Sequence, residues 1–138
     1  HIKVEKDIEK DLTLFGFENE LIQVCMNIIN NSIDAFDSQE EVDDKFIFVN
    51  VYEKDEYVNI IIKDTAGGVP SDVLPKIFEP YFTTKHKSVG TGIGLYMSHQ
   101  IVCDHMNGKI DVDNRTMTIN KTKYTGAEFT IKLKEISS

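Results

Sequence analysis

Apolar residues along this 138-residue chain switch between a period of two and a helical period, and each switch predicts an element. Residues 2–8 alternate and read as a strand, with Ile2 and Val4 on one side. From about Asn19 to Phe36 the spacing is helical, with Asn19 as N-cap and Glu20 in the first turn. Within it Ile22, Met26, Ile29, Ile33 and Phe36 recur at helical spacing and are expected to face a sheet. Residues Phe46–Tyr52 and Tyr57–Lys63 read as two strong strands joined by a turn at Lys54-Asp55-Glu56. A short helix is predicted from Ser71, its cap, to Phe78, followed by an irregular polar stretch to Val89. A helix from about Gly92 to Met106 ends at Asn107-Gly108. Strands follow at Lys109–Asp113, Thr116–Asn120 and Glu128–Leu133, the last two separated by a turn over Lys121–Gly126.

Consecutive strands joined as hairpins, with helices gathered in separate blocks, predict an α/β (α+β) two-layer sandwich. Its sheet would be mixed, mostly antiparallel, of about five strands with helices on one face. The other face would be solvated or meet another domain.

Length fits one domain over residues 1–138, and 41% hydrophobic with 28% charged residues is ordinary for a globular chain. The net charge of −8 argues against a general nucleic-acid or membrane-surface binder. No apolar run approaches a membrane span and no signal peptide opens the chain. His1 begins directly within an alternating pattern, so a domain cut from a longer protein is expected, with His1 itself open to being a tag remnant. Cys25 and Cys103 lie in helical patterns and are expected as buried, reduced thiols, which fits a cytoplasmic setting.

Gly90-Thr91-Gly92-Ile93-Gly94-Leu95 places three glycines at alternate positions before a helix. Such a loop allows close backbone approach, and a helix N-terminus presents unpaired N–H groups to a phosphate. No Gly-Lys-Ser/Thr follows, which excludes a P-loop. The third glycine comes one residue early for a dinucleotide fingerprint, and no strand precedes it. Taken alone, the run is open to being a phosphate loop or a structural turn.

Three further stretches carry candidate chemistry. Gln23, Asn27, Asn30, Asn31 and Asp34 form a polar stripe on the first helix. Asn is a poor helix former, so amides in place of Lys, Glu or Arg suggest uncharged oxygens for coordination, beside the simpler reading of a solvated face. Asp64 emerges from Ile60-Ile61-Ile62 and opens Asp64-Thr65-Ala66-Gly67-Gly68-Val69-Pro70, either a capped turn or a strand-end carboxylate able to accept an adenine amine. Between them and the glycine run, Lys76-Ile77-Phe78-Glu79-Pro80-Tyr81-Phe82-Thr83-Thr84-Lys85 is a candidate lid. Its Lys85, with Lys87, is open to meeting phosphate or solvent.

Together these motifs resemble the ATP-binding catalytic domain of bacterial histidine kinases, in the superfamily shared with gyrase B, Hsp90 and MutL. The resemblance covers nearly the whole chain: an N box at Asn27–Ala35, a first glycine box at Asp64–Gly68, an F box at Phe78–Phe82 and a second glycine box at Gly90–Leu95. It implies that Asn31 ligates Mg²⁺ and that Asp64 and Gly68 bind adenine. It further implies that Phe82, Thr84 and Lys85 belong to a mobile lid, and that Gly90, Thr91, Gly92, Ile93, Gly94 and Leu95 hold the phosphates of ATP. The chain departs from the family at Ala66, where many relatives have glycine, and at Asp34, where many have lysine. Gln23 replaces an acidic residue, and Thr125-Gly126-Ala127 is a reduced last glycine box.

Hydrolytic relatives place a water-activating Glu four residues before the metal-binding Asn, where this chain has Asn27. An amide takes no proton at neutral pH, so Asn27 and Asn31 point to γ-phosphoryl transfer rather than fast hydrolysis. His86, His99 and His105 lack the context of a phosphoacceptor. The expected function is therefore donation of phosphate from Mg-ATP to a histidine on a separate dimerisation domain in two-component signalling, with a response regulator downstream. The expectation includes no nucleic acid and no direct membrane contact. The alternatives are an anti-sigma-factor-type serine kinase and a non-catalytic nucleotide-sensing module.

Overall fold

A five-stranded sheet in the order β1-β2-β3-β5-β4 carries two helices on one face. Its strands are β1 (Ile2–Ile8), β2 (Lys45–Lys54), β3 (Tyr57–Asp64), β4 (Lys109–Ile119) and β5 (Thr122–Lys134). The helices are α1 (Glu18–Asp37) and α2 (Gly94–Gln100). This computed structural model describes residues 2–8, 18–37, 44–80 and 93–134.

Edge strand β1 runs parallel to β2, Ile2 opposite Lys45, and every other pairing is antiparallel. A parallel pair needs a crossover, and α1 lies in the one between β1 and β2. Ile47, Val58, Ile60, Ile62, Ile110, Phe129, Ile131 and Leu133 from the sheet form one buried cluster with Val24, Ile28 and Phe36 of α1. The mixed sheet with helices on one face agrees with the architecture expected from the sequence.

The face α1 buries matches the expected one only in part: Phe36 is buried as expected, and the rest of the stripe is shifted. Ile22 and Met26 are 61% and 48% exposed, whereas Val24, Ile28, Ser32 and Phe36 are buried at intervals of four. Ile29 and Ile33 pack only partly against the core. Both stripes have helical period; the buried one is interrupted by Ser32, whose hydroxyl has a partner inside. Asn19 is no N-cap, because the helix already includes Glu18.

Ser71 caps no helix. Val73 and Leu74 donate to the Pro70 carbonyl, and only Leu74–Lys76 forms a 3₁₀ turn, with Pro75 at its start. Pro75 has no N–H for the Ser71 carbonyl and its ring crowds that carbonyl, so the turn begun at Pro70 does not continue as an α-helix.

Strands β4 and β5 are each continuous, against the expected break after Asp113 and the expected turn over Lys121–Gly126. A two-residue turn at Asn120 and Lys121 joins them, with φ of 50° and 69°. Asp55 and Glu56 join β2 to β3 the same way, at 53° and 69°. Positive φ at both central residues matches the twist of the flanking strands.

Helix α2 runs on into a π turn at Ile101–His105, closed by the Met106 N–H on the Ile101 carbonyl at 3.0 Å. Asn107, at φ 51°, ends it as expected. On the sheet's opposite face Phe46 and Phe48 stack at 5.8 Å, Tyr124 meets Phe46 edge-on, and the Lys3 and Lys63 ammoniums lie 5.6 Å from the ring centres. Among the described residues no helix is long and apolar enough to cross a membrane.

Candidate functional site

Strand β3 delivers Asp64 to the edge of the core, where it is 2% exposed. Burying a carboxylate is costly unless hydrogen bonds replace its water. Ser32 Oγ on α1 donates to Oδ2 at 2.6 Å, while the Ala66 and Ala127 N–H groups donate to Oδ1 at 3.0 and 3.2 Å. A carboxylate has about four acceptor positions. The described residues fill three of them, which leaves the carboxylate fit to accept one more N–H donor, such as an exocyclic amine.

The backbone around Asp64 is fixed from both neighbouring strands. Thr65 N–H donates to the Phe46 carbonyl and Phe46 N–H to Thr65 Oγ1, extending the β2–β3 ladder past the end of β3. On the other side Gly126 lies so close that a Cβ there would be 1.6 Å from the Asp64 carbonyl oxygen. Only glycine permits this approach.

Beyond Asp64 the chain turns through Gly67 and Gly68, at φ 95° and 83°. Gly67 N–H donates to the Thr125 carbonyl at 2.8 Å. Val69 exchanges two bonds of 2.7 Å with the Asn114 side chain.

Helix α1 presents its polar stripe unevenly. Gln23 and Asn30 are exposed, whereas Asn27, Asn31 and Asp34 are half-buried. The Asn27 amide nitrogen donates to the Gly94 carbonyl at 3.2 Å and to Ser98 Oγ at 3.1 Å, and Ser98 Oγ donates to the same carbonyl at 2.9 Å. Asn27 thus holds the first turn of α2 against α1. Asn31 lies one turn further along the same stripe. Ile93 occupies the N-cap position of α2 with no side-chain cap, and Gly94 and Leu95 begin the helix, half-buried. Phe82, Thr84, Lys85, Gly90, Thr91 and Gly92 lie outside the described residues, as do His86 and Lys87.

The segment leading to that stretch is anchored at its start. Ile77 is buried, and the Phe78 ring sits 5.2 Å from His99 and 6.2 Å from Phe129. His99 Nε2 is 3.7 Å from Cys103 Sγ, and exposed His105 pairs with Glu20 at 3.1 Å.

Neither thiol is poised as a nucleophile. Both are half-buried rather than fully buried. Burial pushes the Cys25 thiol up to about 11 and raises Cys103, where a backbone hydrogen bond from Ile110 works the other way. Among the described residues no group of three or more His, Cys, Asp or Glu comes together to hold a metal. A cation here would rest on amide oxygen and the ligand's own phosphates, a donor set suited to Mg²⁺.

Hydrophobic periodicity missed Ser32, Ser98, Asn114 and Gly126. Ser32 and Ser98 replace apolar residues on inward-facing helical positions, which was the one signal available for them.

The family model described as histidine kinase-, DNA gyrase B-, and HSP90-like ATPase matches residues 16–137. Sporulation kinase A of Bacillus subtilis is 35% identical over 114 residues, covering 82% of this chain and 18% of that protein. A probable C4-dicarboxylate sensor kinase of Halalkalibacterium halodurans is 34% identical, covering 70% of this chain and 18% of the relative. The chain therefore spans under a fifth of the length of these curated relatives. Among solved structures, the nucleotide-free catalytic domain of histidine kinase ThkA superposes with a TM-score of 0.77 at 25% identity, over 97% of this chain and 79% of that one. ThkA in complex with response regulator protein TrrA gives 0.73 at 22% identity, over 98% and 34%.

Proposed function

We propose a function on one premise: this chain belongs to the histidine kinase-, DNA gyrase B-, and HSP90-like ATPase family, as an ATP-binding domain of the histidine kinase kind. In this proposal it binds Mg-ATP and donates the γ-phosphoryl group to a histidine on a separate dimerisation domain. The phosphate then passes to a response regulator, the kind of partner with which ThkA was solved. The use of ATP supports a cytoplasmic location for the domain.

The observation that carries the reading is the buried Asp64 carboxylate, held by Ser32, Ala66 and Ala127 with one acceptor position in hand. There it takes the exocyclic amine of adenine, with Gly68 beside the base. Asn31 supplies an amide oxygen to Mg²⁺. When bound, the cation neutralises charge on the phosphates and aligns them. Ile93, Gly94 and Leu95, with Gly90, Thr91 and Gly92, offer backbone N–H groups to those phosphates; Phe82, Thr84 and Lys85 act as the lid. In the transfer the β,γ P–O bond breaks, a P–N bond forms to the acceptor imidazole, and ADP leaves with the electron pair.

Asn27 directs the reaction away from water. Its amide nitrogen is committed to Gly94 and Ser98, and no carboxylate stands there to take a proton from water. Calorimetric titration of Mg-ATP into the chain tests the site: Asn31→Ala and Asp64→Ala should each weaken binding at least tenfold. Unchanged affinity in both folded variants refutes the assignment. Acid-labile phosphohistidine in the full-length protein tests the transfer, and acid-stable phosphoserine would favour the serine-kinase alternative.

A further inference from the structure

Asn114 lies on β4, outside every motif that marks the nucleotide site, yet its side chain grips both backbone polar groups of one residue in the loop after Asp64. Its Oδ1 accepts from the Val69 N–H and its Nδ2 donates to the Val69 carbonyl, both at 2.7 Å. The amide thereby does for Val69 what a neighbouring strand would do. A Cβ on Gly68 would sit 2.8 Å from Asn114 Oδ1 and 3.3 Å from Thr125 Cγ2, so the loop rests directly on the β4–β5 ribbon. Gly67 is bonded to Thr125 on the same ribbon, and Asp64 to Ala127. The carboxylate and the glycine loop are thus referenced to one rigid frame, the first through β5 and the second chiefly through Asn114.

We infer that Asn114 is a positioning residue for base recognition, setting where Gly67–Val69 stands relative to the Asp64 carboxylate. The inference rests on the reading of Asp64 given above. Among the described residues its side-chain bonds go to Val69 alone, away from Asn27, Asn31 and Gly94. Losing them therefore alters the choice of base while leaving phosphate affinity in place.

Calorimetric titration with Mg-ATP, Mg-GTP and Mg-triphosphate tests this on the chain and its Asn114→Ala, Asn114→Asp and Asp64→Ala variants. Asn114→Ala should weaken ATP about tenfold, the combined effect of two ordinary hydrogen bonds, with GTP and triphosphate unchanged within about twofold. Asn114→Asp keeps side-chain size and the acceptor for Val69 N–H but turns an oxygen onto the Val69 carbonyl, and should act in the same direction. Unchanged ATP affinity, or parallel loss of ATP and triphosphate, overturns the inference. If Asp64→Ala abolishes the preference for ATP while the Asn114 variants keep it, only this inference falls. If Asp64→Ala keeps the preference, the reading of Asp64 falls with it. Should both Asn114 variants fail to fold, amide exchange at Val69 in the parent chain decides. ATP should slow it and triphosphate should not; equal slowing overturns the inference.

Discussion

Gly126→Ala is the smallest substitution able to test how the site is built. An added Cβ would lie 1.6 Å from the Asp64 carbonyl oxygen, 2.5 Å from its carbonyl carbon and 3.0 Å from Oδ1. Real Cβ atoms essentially never come within 3.0 Å, so β5 must retreat from the end of β3 by about 1.4 Å. That movement takes the Ala127 N–H bond to Asp64, already 3.2 Å, and the Gly67 N–H bond to Thr125 past hydrogen-bonding reach. One lost bond is to a carboxylate and one to a carbonyl, together about 2–4 kcal/mol, and overpacking adds about 1–3 kcal/mol. A total near 4 kcal/mol is a large share of the ~5–15 kcal/mol that holds a domain of this kind together. Urea titration should show this loss directly. Thermal unfolding should drop by about 10–20 °C, at roughly 3–5 °C per kcal/mol for this size. Gly94→Ala is the control, since its Cβ would meet Asn27 Cγ at 3.8 Å, ordinary contact. It should leave stability within about 0.5 kcal/mol or raise it slightly. A Gly126→Ala chain as stable as its parent would refute the steric argument.

Two further predictions concern groups near the site. Asn27→Asp preserves shape but sets a carboxylate against the Gly94 carbonyl, so the chain should lose about 1–3 kcal/mol in urea titration at neutral pH. With a carboxylate at this position it should hydrolyse ATP faster than the parent in a phosphate-release assay; a folded variant that binds Mg-ATP and shows no gain would contradict the role given to Asn27. Cys25 should react with iodoacetamide roughly a hundredfold more slowly at pH 8 than an unburied thiol, because burial holds its thiol near 11 instead of its ordinary 9.0. A thiol raised on folding stabilises the fold fully below pH 9 and loses that contribution as pH rises from 9 toward 11. Urea midpoints should fall across that window in the parent and stay flatter in Cys25→Ala.

Much of the fold is legible in the sequence wherever one side chain decides the matter locally. Asn107 stops α2, Asp55 and Glu56 make the first hairpin, and the apolar runs of β2 and β3 announce strands buried on at least one face. Reading failed where a residue answers to a distant partner. Ser32 breaks the apolar stripe of α1 because Asp64 needs its hydroxyl, so Ile22 and Met26 make the more regular pattern while lying exposed. Gly126 reads as a turn residue, yet it is glycine for the sake of Asp64, and the turn falls instead on Asn120 and Lys121, where no glycine marks it. Asn114 looks like a break between two short strands and is the clamp on Val69. The Asp64 carboxylate was recognisable from its strand-end position, but its three donors come from α1, the following loop and β5, which no local pattern connects.

Those donors also set the order in which the chain can assemble. The bond from Ala66 spans two positions, that from Ser32 spans 32, and that from Ala127 spans 63. Closing the longer of these loops costs only about 0.6 kcal/mol more than the shorter, so chain length does not separate the two events. What separates them from the rest is topology: both need long-range contacts in place, which form slowly compared with turns and helices. A nascent chain that has made α1 and the β2–β3 hairpin still holds a carboxylate with an incomplete set of donors. Completion waits for β5, so the donor set of the 64th residue is finished only after the 127th has arrived.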